Sequence, residues 1–561
     1  MTAATFSASA AVNVTGLTDE VRDNVYLLMR LDEEPCDAPR RRIERSFDDA
    51  HEQIGSALEA FGYYTPNVKS DLKFEENCWT AEFDIEPGDV VRFRSVNIEI
   101  AGDAASDSAF LALVDTSGIV PGAPLEHRRY EALKSALTRL ALERGYEDAQ
   151  FAQGRIDVYA EALAADVTLS FDSGDRYRFG DIDIEQDVLD DELIEGYLQF
   201  KSGDYYDSRR LASARLELVN SGYFDGVTVR PVAADRVNKT IPVTVALTPA
   251  PRRWINYGVG FSTDTGVRLR FGRNIRRRNT AGHQRSFNAL LSPVVTEVSV
   301  NYRMPYGDPR TEWVSFDGGV KREYTDTSKS RSLQFGARRV LLGEGEWVRT
   351  QYTNLLVEDY EVGQTFGRSR LLMPGIEWAR LRADDAIRPD RGSKLGFDVR
   401  GAADALGSDT SFLQVQARGK WIWSLPNRAR ILVRGLLGLT WERTFEELPP
   451  SVRFFAGGDN SVRGYDFETL GPANAEGEVI GGSRIVTSSF EYEHPVKERW
   501  SIALFADSGN AFNSTPLELK TGVGIGARWQ SPIGPIRVDV AKPLDGVDRG
   551  FRLHISLGPD L

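Results

Sequence analysis

The run with the most capacity for chemistry is Phe454-Phe455-Ala456-Gly457-Gly458-Asp459-Asn460-Ser461-Val462-Arg463-Gly464-Tyr465. Its glycines frame one guanidinium, the group best suited to forked recognition of a carboxylate. Arg463 has no acid at a useful spacing within its own tip, so its partner must come from elsewhere in the chain. Bond-making motifs are missing: there is no GxSxG elbow, HExxH, Walker loop or CxxC pair. The five histidines (51, 127, 283, 494 and 554) show no metal-ligand spacing. The sequence therefore predicts no enzyme, no catalytic residue, no metal and no cofactor. Cys36 and Cys78 are either a disulfide in an oxidising compartment, worth roughly 4 kcal/mol for a loop of that length, or two buried thiols.

The elements that position these residues fall into two kinds. In the first half, three helical segments each end in Gly-Tyr, at Gly62-Tyr63, Gly145-Tyr146 and Gly222-Tyr223. Ile43, Phe47, Ala50, Ile54, Ala57, Leu58 and Phe61 share one helical face before the first, Tyr130, Leu133, Leu137 and Leu140 before the second, and Leu211, Ala214 and Leu218 before the third. Glycine just past the last apolar position is a helix stop signal. Alternating strands follow each Gly-Tyr, as at Val227, Val229, Val243, Val245 and Leu247, and two units open with matching text, VRFRSVNIEI and YRFGDIDIE. The pattern predicts three α+β modules, each strand, helix, helix, strand, strand, over 12–89, 90–175 and 176–251. Ahead of them, 1–11 is either a disordered tail or the remnant of a signal peptide, with Ala8-Ser9-Ala10 in small-x-small form.

From 252 to 561 the text changes. Val267, Leu269 and Phe271 alternate with Arg268, Arg270 and Gly272; Val523, Ile525, Ala527 and Trp529 with Gly522, Gly524, Gly526 and Arg528; Phe551, Leu553, Ile555 and Leu557 with Arg552, His554 and Ser556. One apolar face and one charged or glycine face suit a sheet between lipid and a wet lumen. The glycines at 522, 524 and 526 read as small lumen residues. No run of about 18 apolar residues exists, so a membrane role requires a closed barrel. Candidate strands number about sixteen at roughly 19 residues per strand and turn, an even count that leaves no edge. One connection, about 442–482, is anomalously long and holds the arginine tip; such loops are usually functional. Charge divides the same way: residues 1–251 carry 25 Lys+Arg against 46 Asp+Glu, and 252–561 carry 43 against 36. The acidic half speaks against a nucleic-acid partner; it either steers a basic partner or keeps the modules soluble. Thr248 to Trp254 reads as a Pro-containing linker between the halves.

The Gly457-Gly458-x-x-Ser461-Val462-Arg463-Gly464-Tyr465 run resembles the loop tip of the outer-membrane protein assembly and two-partner-secretion superfamily. Phe490-Glu491-Tyr492, Phe505-Ala506-Asp507-Ser508-Gly509-Asn510 and Gly534-Pro535-Ile536-Arg537-Val538-Asp539 follow in order. With three modules in front, the chain is most similar to that superfamily's TamA (translocation and assembly module) branch. The resemblance implies periplasmic POTRA modules, a sixteen-stranded antiparallel transmembrane β-barrel in a bacterial outer membrane, and a sixth outer loop folded into the lumen. A tip inside the lumen needs a counter-charge, since an uncompensated buried charge is costly. Strand alternation points Glu491 and Asp507 inward, so Arg463 is expected to dock on them. The barrel closes between first and last strands, about 255–262 and 550–558, giving an expected seam of Tyr257, Gly258, Val259 and Gly260 against Leu553, Ile555, Leu557 and Gly558. Gly258, Gly260 and Gly558-Pro559 would weaken that ladder. The implied function is insertion or secretion of outer-membrane barrel proteins and autotransporters through the seam. The implied partners are those clients, the lipid bilayer and a TamB-like inner-membrane-anchored protein on the POTRA modules. Phospholipid transport with that partner, the core assembly factor, a two-partner-secretion exporter and a porin-like channel are the alternatives.

Overall fold

A computed structural model of the chain describes residues 11–75, 78–385, 387–513, 517–531, 534–545 and 550–558. The expectations for residues 1–10 and for Pro559 lie outside these.

The repeat predicted from the Gly-Tyr signals is built as strand, helix, helix, strand, strand three times. The first module runs β1 (Ala11–Thr15), α1 (Asp19–Leu28), α2 (Arg40–Glu59), β2 (Asn67–Phe74) and β3 (Trp79–Glu86). The second runs β4 (Arg92–Ala101), α3 (Ser108–Thr116), α4 (His127–Arg144), β5 (Gln150–Tyr159) and β6 (Ala164–Asp172). The third runs β7 (Arg178–Glu185), α5 (Asp191–Glu195), α6 (Ser208–Asn220), β8 (Phe224–Pro231) and β9 (Thr240–Pro249). Each module's last strand lies in the middle of its sheet, in the orders β1-β3-β2, β4-β6-β5 and β7-β9-β8. Ile43, Ala50, Ile54, Ala57 and Leu58 of α2 are buried with Trp79, Phe83 and Ile85 of β3, and Tyr130, Leu133 and Leu137 of α4 with Val167, Leu169 and Phe171 of β6. Gly145 caps α4 in the left-handed conformation at φ +80°, which favours glycine. Cys36 and Cys78 form a disulfide, joining the segment before α2 to the start of β3.

The chain forms two compact units, and the division cuts the third module. Glu185–Leu198 and Arg215–Val227 belong with the unit that begins at Ala246. Within that unit the buried Tyr223 hydroxyl donates to the Gly282 carbonyl at 2.5 Å, and Tyr197 donates to Pro309 at 3.4 Å. The expected linker is shorter than its composition suggests: β9 continues to Pro249 and β10 starts at Arg253. Three residues separate them because the proline at the end of β9 sits where no further ladder donor is needed.

Sixteen antiparallel strands, β10 (Arg253–Ser262) through β25 (Arg552–Leu557), close into a barrel. Its burial is the reverse of a water-soluble sheet's. Tyr257, Val259, Leu269, Phe490, Leu504 and Leu553 stand exposed on the outside, while Glu491, Asp507, Arg528 and Asp539 are buried inside. Only a lipid exterior makes that arrangement favourable. The connection between β20 (Arg430–Glu442) and β21 (Arg484–Lys497) is the long loop. Its Leu448, Val452, Phe454, Ala456, Val462 and Leu470 are buried, the last four against Ile485 of β21 and Ala511 of β22 (Trp500–Phe512). The loop therefore fills the lumen rather than lying on the rim.

Candidate functional site

The tip of this loop ends in a cage of charge. Arg463 is 4% exposed. Its Nε donates to Asp507 Oδ2 at 2.7 Å and its Nη2 to Asp507 Oδ1 at 3.0 Å, a fork on one carboxylate. Its Nη1 donates to Glu491 Oε2 at 2.7 Å and to Asp539 Oδ2 at 3.0 Å, and its backbone N–H adds a bond to Asp507 at 3.0 Å. The guanidinium carbon lies 3.5 Å from the centroid of the Phe505 ring, a cation–π contact. The structure thus places Arg463 beside Glu491 and Asp507, the two carboxylates that alternation turns inward.

It also adds residues that the sequence pattern did not place. Asp539 on β24 (Gly534–Pro543) is a third acceptor. Arg528 on β23 (Lys520–Ser531) holds the far side of Glu491 at 2.6 Å and also pairs with Asp539. Arg434 on β20 reaches Asp507 at 3.5 Å while donating to the carbonyls of Asp459 and Ser461. Arg430 pairs with Glu493 at 2.9 Å. Four arginines face four carboxylates, so the cage is close to neutral, the condition under which ionised groups tolerate burial.

The glycines of the strand wall make room for the tip. A Cβ on Gly522 would overlap the Arg463 carbonyl oxygen, and Gly464, at φ +98°, has the backbone of Pro543 3.1 Å from where its Cβ would stand. The small lumen residues predicted at 522 and 526 are therefore spaces, one for the loop backbone and one for the Asp539 and Arg528 side chains. Gly457, Gly458 and Ser461 shape the turn itself: the Ser461 hydroxyl accepts the Gly457 N–H at 3.1 Å, and Gly458 donates to the Tyr465 carbonyl. Tyr465 closes the tip by donating to the Asp545 carbonyl at 2.7 Å.

At the seam, β10 pairs along its whole length with β11 (Gly266–Ile275) on one side. On the other it meets β25 at one register position among the described residues, Ser262 opposite Ser556, with Thr263 N–H donating to the Ile555 carbonyl just beyond. Tyr257, Gly258, Val259 and Gly260 have no described partner on that edge, and Tyr257 and Val259 are 77% and 73% exposed. On the far edge of β25, Leu553, Ile555 and Leu557 pair with Val540, Val538 and Ile536 of β24. The expected seam residues are therefore placed on the two neighbouring strands, without a ladder pair between them among the described residues.

A second cluster lies at the outer end of this seam. The Thr263 hydroxyl donates to Asp459 Oδ1 at 2.8 Å, the Asp459 N–H to Asp264 at 2.8 Å, and His554 Nδ1 lies 2.7 Å from the same Asp459 oxygen. Burial, and then the Asp459 carboxylate, push the Asp264 carboxyl up to about 7. His554 is one of the histidines without ligand spacing in the sequence. Its signal is the inward parity it shares with Arg552 and Ser556 on β25, and its neighbours come from residues about 95 and 290 positions away, beyond any local pattern.

Residues 262–560 match the Omp85 superfamily domain model, 11–87 match domain 1 of the TamA-type POTRA model, and 177–250 match a model described as a surface antigen variable number repeat. The outer membrane protein assembly factor BamA of Neisseria meningitidis serogroup B is 22% identical over 89% of this chain and 71% of its own length. The BamA of Nitratidesulfovibrio vulgaris is 25% identical over 66% of this chain and 49% of its own length. Among solved structures, BamA of Haemophilus ducreyi lacking POTRA domains 1–3 shares the fold, with a TM-score of 0.68 at 17% identity, over 83% of this chain and 99% of that one. The chain belongs to the Omp85 superfamily, as an outer-membrane β-barrel with periplasmic POTRA domains.

Proposed function

We propose that this protein is a TamA-type insertase that helps outer-membrane β-barrel proteins, autotransporters among them, into the membrane through the seam between β10 and β25. The observation that carries the reading is the bare edge of β10. From Arg253 to Phe261 its outer side has no ladder pair among the described residues, although its other side is fully paired. Unpaired N–H and C=O groups facing lipid are costly, and an incoming strand that supplies their partners relieves that cost. The relatives named as assembly factors support the general activity, and the match of the first module to the TamA-type model supports the branch. On this reading the three modules divide as 12–89, 90–175 and 176–251, and their sheet edges receive clients and a TamB-like partner. The docked loop keeps the lumen from acting as an open pore, and no chemical step is catalysed.

The test is insertion of a client barrel into liposomes carrying the full chain with Ser262→Cys and Ser556→Cys, the facing pair of the seam among the described residues. Oxidation is expected to stop insertion and reduction to restore it. Insertion that proceeds equally in the oxidised protein would overturn the seam as the route.

A further inference from the structure

The residues around Asp459 gather at the outer end of the seam, beside the described pair Ser262 and Ser556. Asp459 belongs to the loop, Thr263 and Asp264 to the turn after β10, and His554 to β25. One carboxylate oxygen, Asp459 Oδ1, takes hydrogen bonds from both sides of the seam, from Thr263 Oγ1 at 2.8 Å and from His554 Nδ1 at 2.7 Å. The proton on His554 is placed by its other nitrogen: the Gly464 N–H donates to Nε2 at 2.9 Å, so Nε2 offers its lone pair and Nδ1 carries the hydrogen. The Thr263 hydroxyl, having donated to Asp459, accepts the Ile555 N–H at 3.1 Å. The Asp459 N–H donates to Asp264, tying the loop to the same turn.

Two aspartates and a histidine within reach of one another have the composition of a cation site. Here both imidazole nitrogens are spent, one on a carboxylate and one on a backbone N–H, which leaves no lone pair for an ion. The cluster is built to bridge polypeptide segments.

We infer that Asp459 is a clasp: beside the one described ladder position, Ser262 opposite Ser556, the lumenal loop holds the outer end of the β10–β25 seam shut, so that seam opening is governed from the loop tip. The inference rests on the seam being the working gate, and it names what regulates that gate. Asp459 lies four residues before Arg463, and Gly464, which orients His554, lies one residue after it. Arg463 in its cage and Asp459 at the seam are thus two ends of one short turn, and a displacement of one pulls on the other.

The experiment is hydrogen exchange on the full chain in phospholipid nanodiscs, comparing wild type with Thr263→Val and Asp459→Ala. Thr263→Val keeps the side-chain shape and removes the shared hydroxyl, so it tests the clasp in a fold little disturbed. Exchange at the Thr263 and Ile555 amides is expected to rise at least tenfold in both variants, while the Arg463 amide, bonded to Asp507, stays protected. Unchanged exchange at the seam amides would overturn the clasp. So would equal deprotection of Arg463, which would make Asp459 a holder of the loop alone. If the seam amides respond as expected but wild-type protein inserts no client, the clasp stands and the insertase reading fails.

Discussion

Replacing Arg463 with alanine removes the only loop residue in the cage of four arginines and four carboxylates described above. All five guanidinium bonds go with it, to Asp507 twice and to Glu491, Asp539 and Ser489 once each. Arg528 and Arg434 still face Glu491, Asp539 and Asp507, so two cations are left for three anions. Removing one partner of a buried ion pair costs about 3–5 kcal/mol, or roughly a hundred- to several-thousandfold in the docked-to-free ratio of the loop. The assay is limited proteolysis of the loop, 443–483, together with exchange of the Val462 and Gly464 amides in the membrane-embedded protein. Both are expected to rise steeply in Arg463→Ala. Arg463→Lys keeps the charge but not the fork and should fall between. Adding Asp507→Asn to Arg463→Ala removes the excess negative charge and should recover part of the protection, a positive coupling in the double-mutant cycle. Proteolysis and exchange in Arg463→Ala equal to wild type would refute the idea that this cage anchors the loop.

Three further outcomes follow from other parts of the molecule. Cys36→Ser with Cys78→Ser opens a link across 42 residues in the first module, and denaturant unfolding followed at Trp79 should show a loss of about 4 kcal/mol. Gly522→Ala puts a methyl group where the Arg463 carbonyl sits, so it should free the loop to proteolysis although no charge has changed. Asp264 faces Asp459 and, at longer range, Glu468 from the loop and His554 from β25. Its carboxyl is held at about 7, above the ordinary value near 4, so its contribution to closure is complete below about pH 4 and lost as pH rises through 7. Exchange at the Thr263 amide, corrected for intrinsic rate, should therefore be slower at pH 5.5 than at pH 8, and Asp264→Asn should flatten the difference.

What the sequence makes legible, and what it hides, divides along local and non-local lines. The Gly-Tyr helix stops are local, and all three modules follow from them. Alternation is local too, so the inward direction of Glu491 and Asp507 is legible in the residues of their own strands. Which inward residues meet is set by strand register and barrel closure, and neither is written in a segment of ten residues. Asp539 and Arg528 carry the inward parity, but their meeting at Arg463 requires the order of β21 to β24 around the wall. His554 is the extreme case, since its partners lie on the loop and the first hairpin. Gly258 and Gly260 predict a weak seam through their own lack of side chains. In the structure the weakness comes from offset: β25 lies level with the turn beyond β10, and the glycines are simply part of the edge left without a described partner.

The edge of β10 that has no ladder pair among the described residues is expected to receive client strands. The most direct test of this is in-cell photocrosslinking from Tyr257 and Val259, the two most exposed apolar positions of that strand. The account predicts adducts with nascent outer-membrane barrel proteins that disappear when the seam is locked to β25. Adducts with lipid or with a periplasm-spanning partner alone, and none with clients, would contradict it.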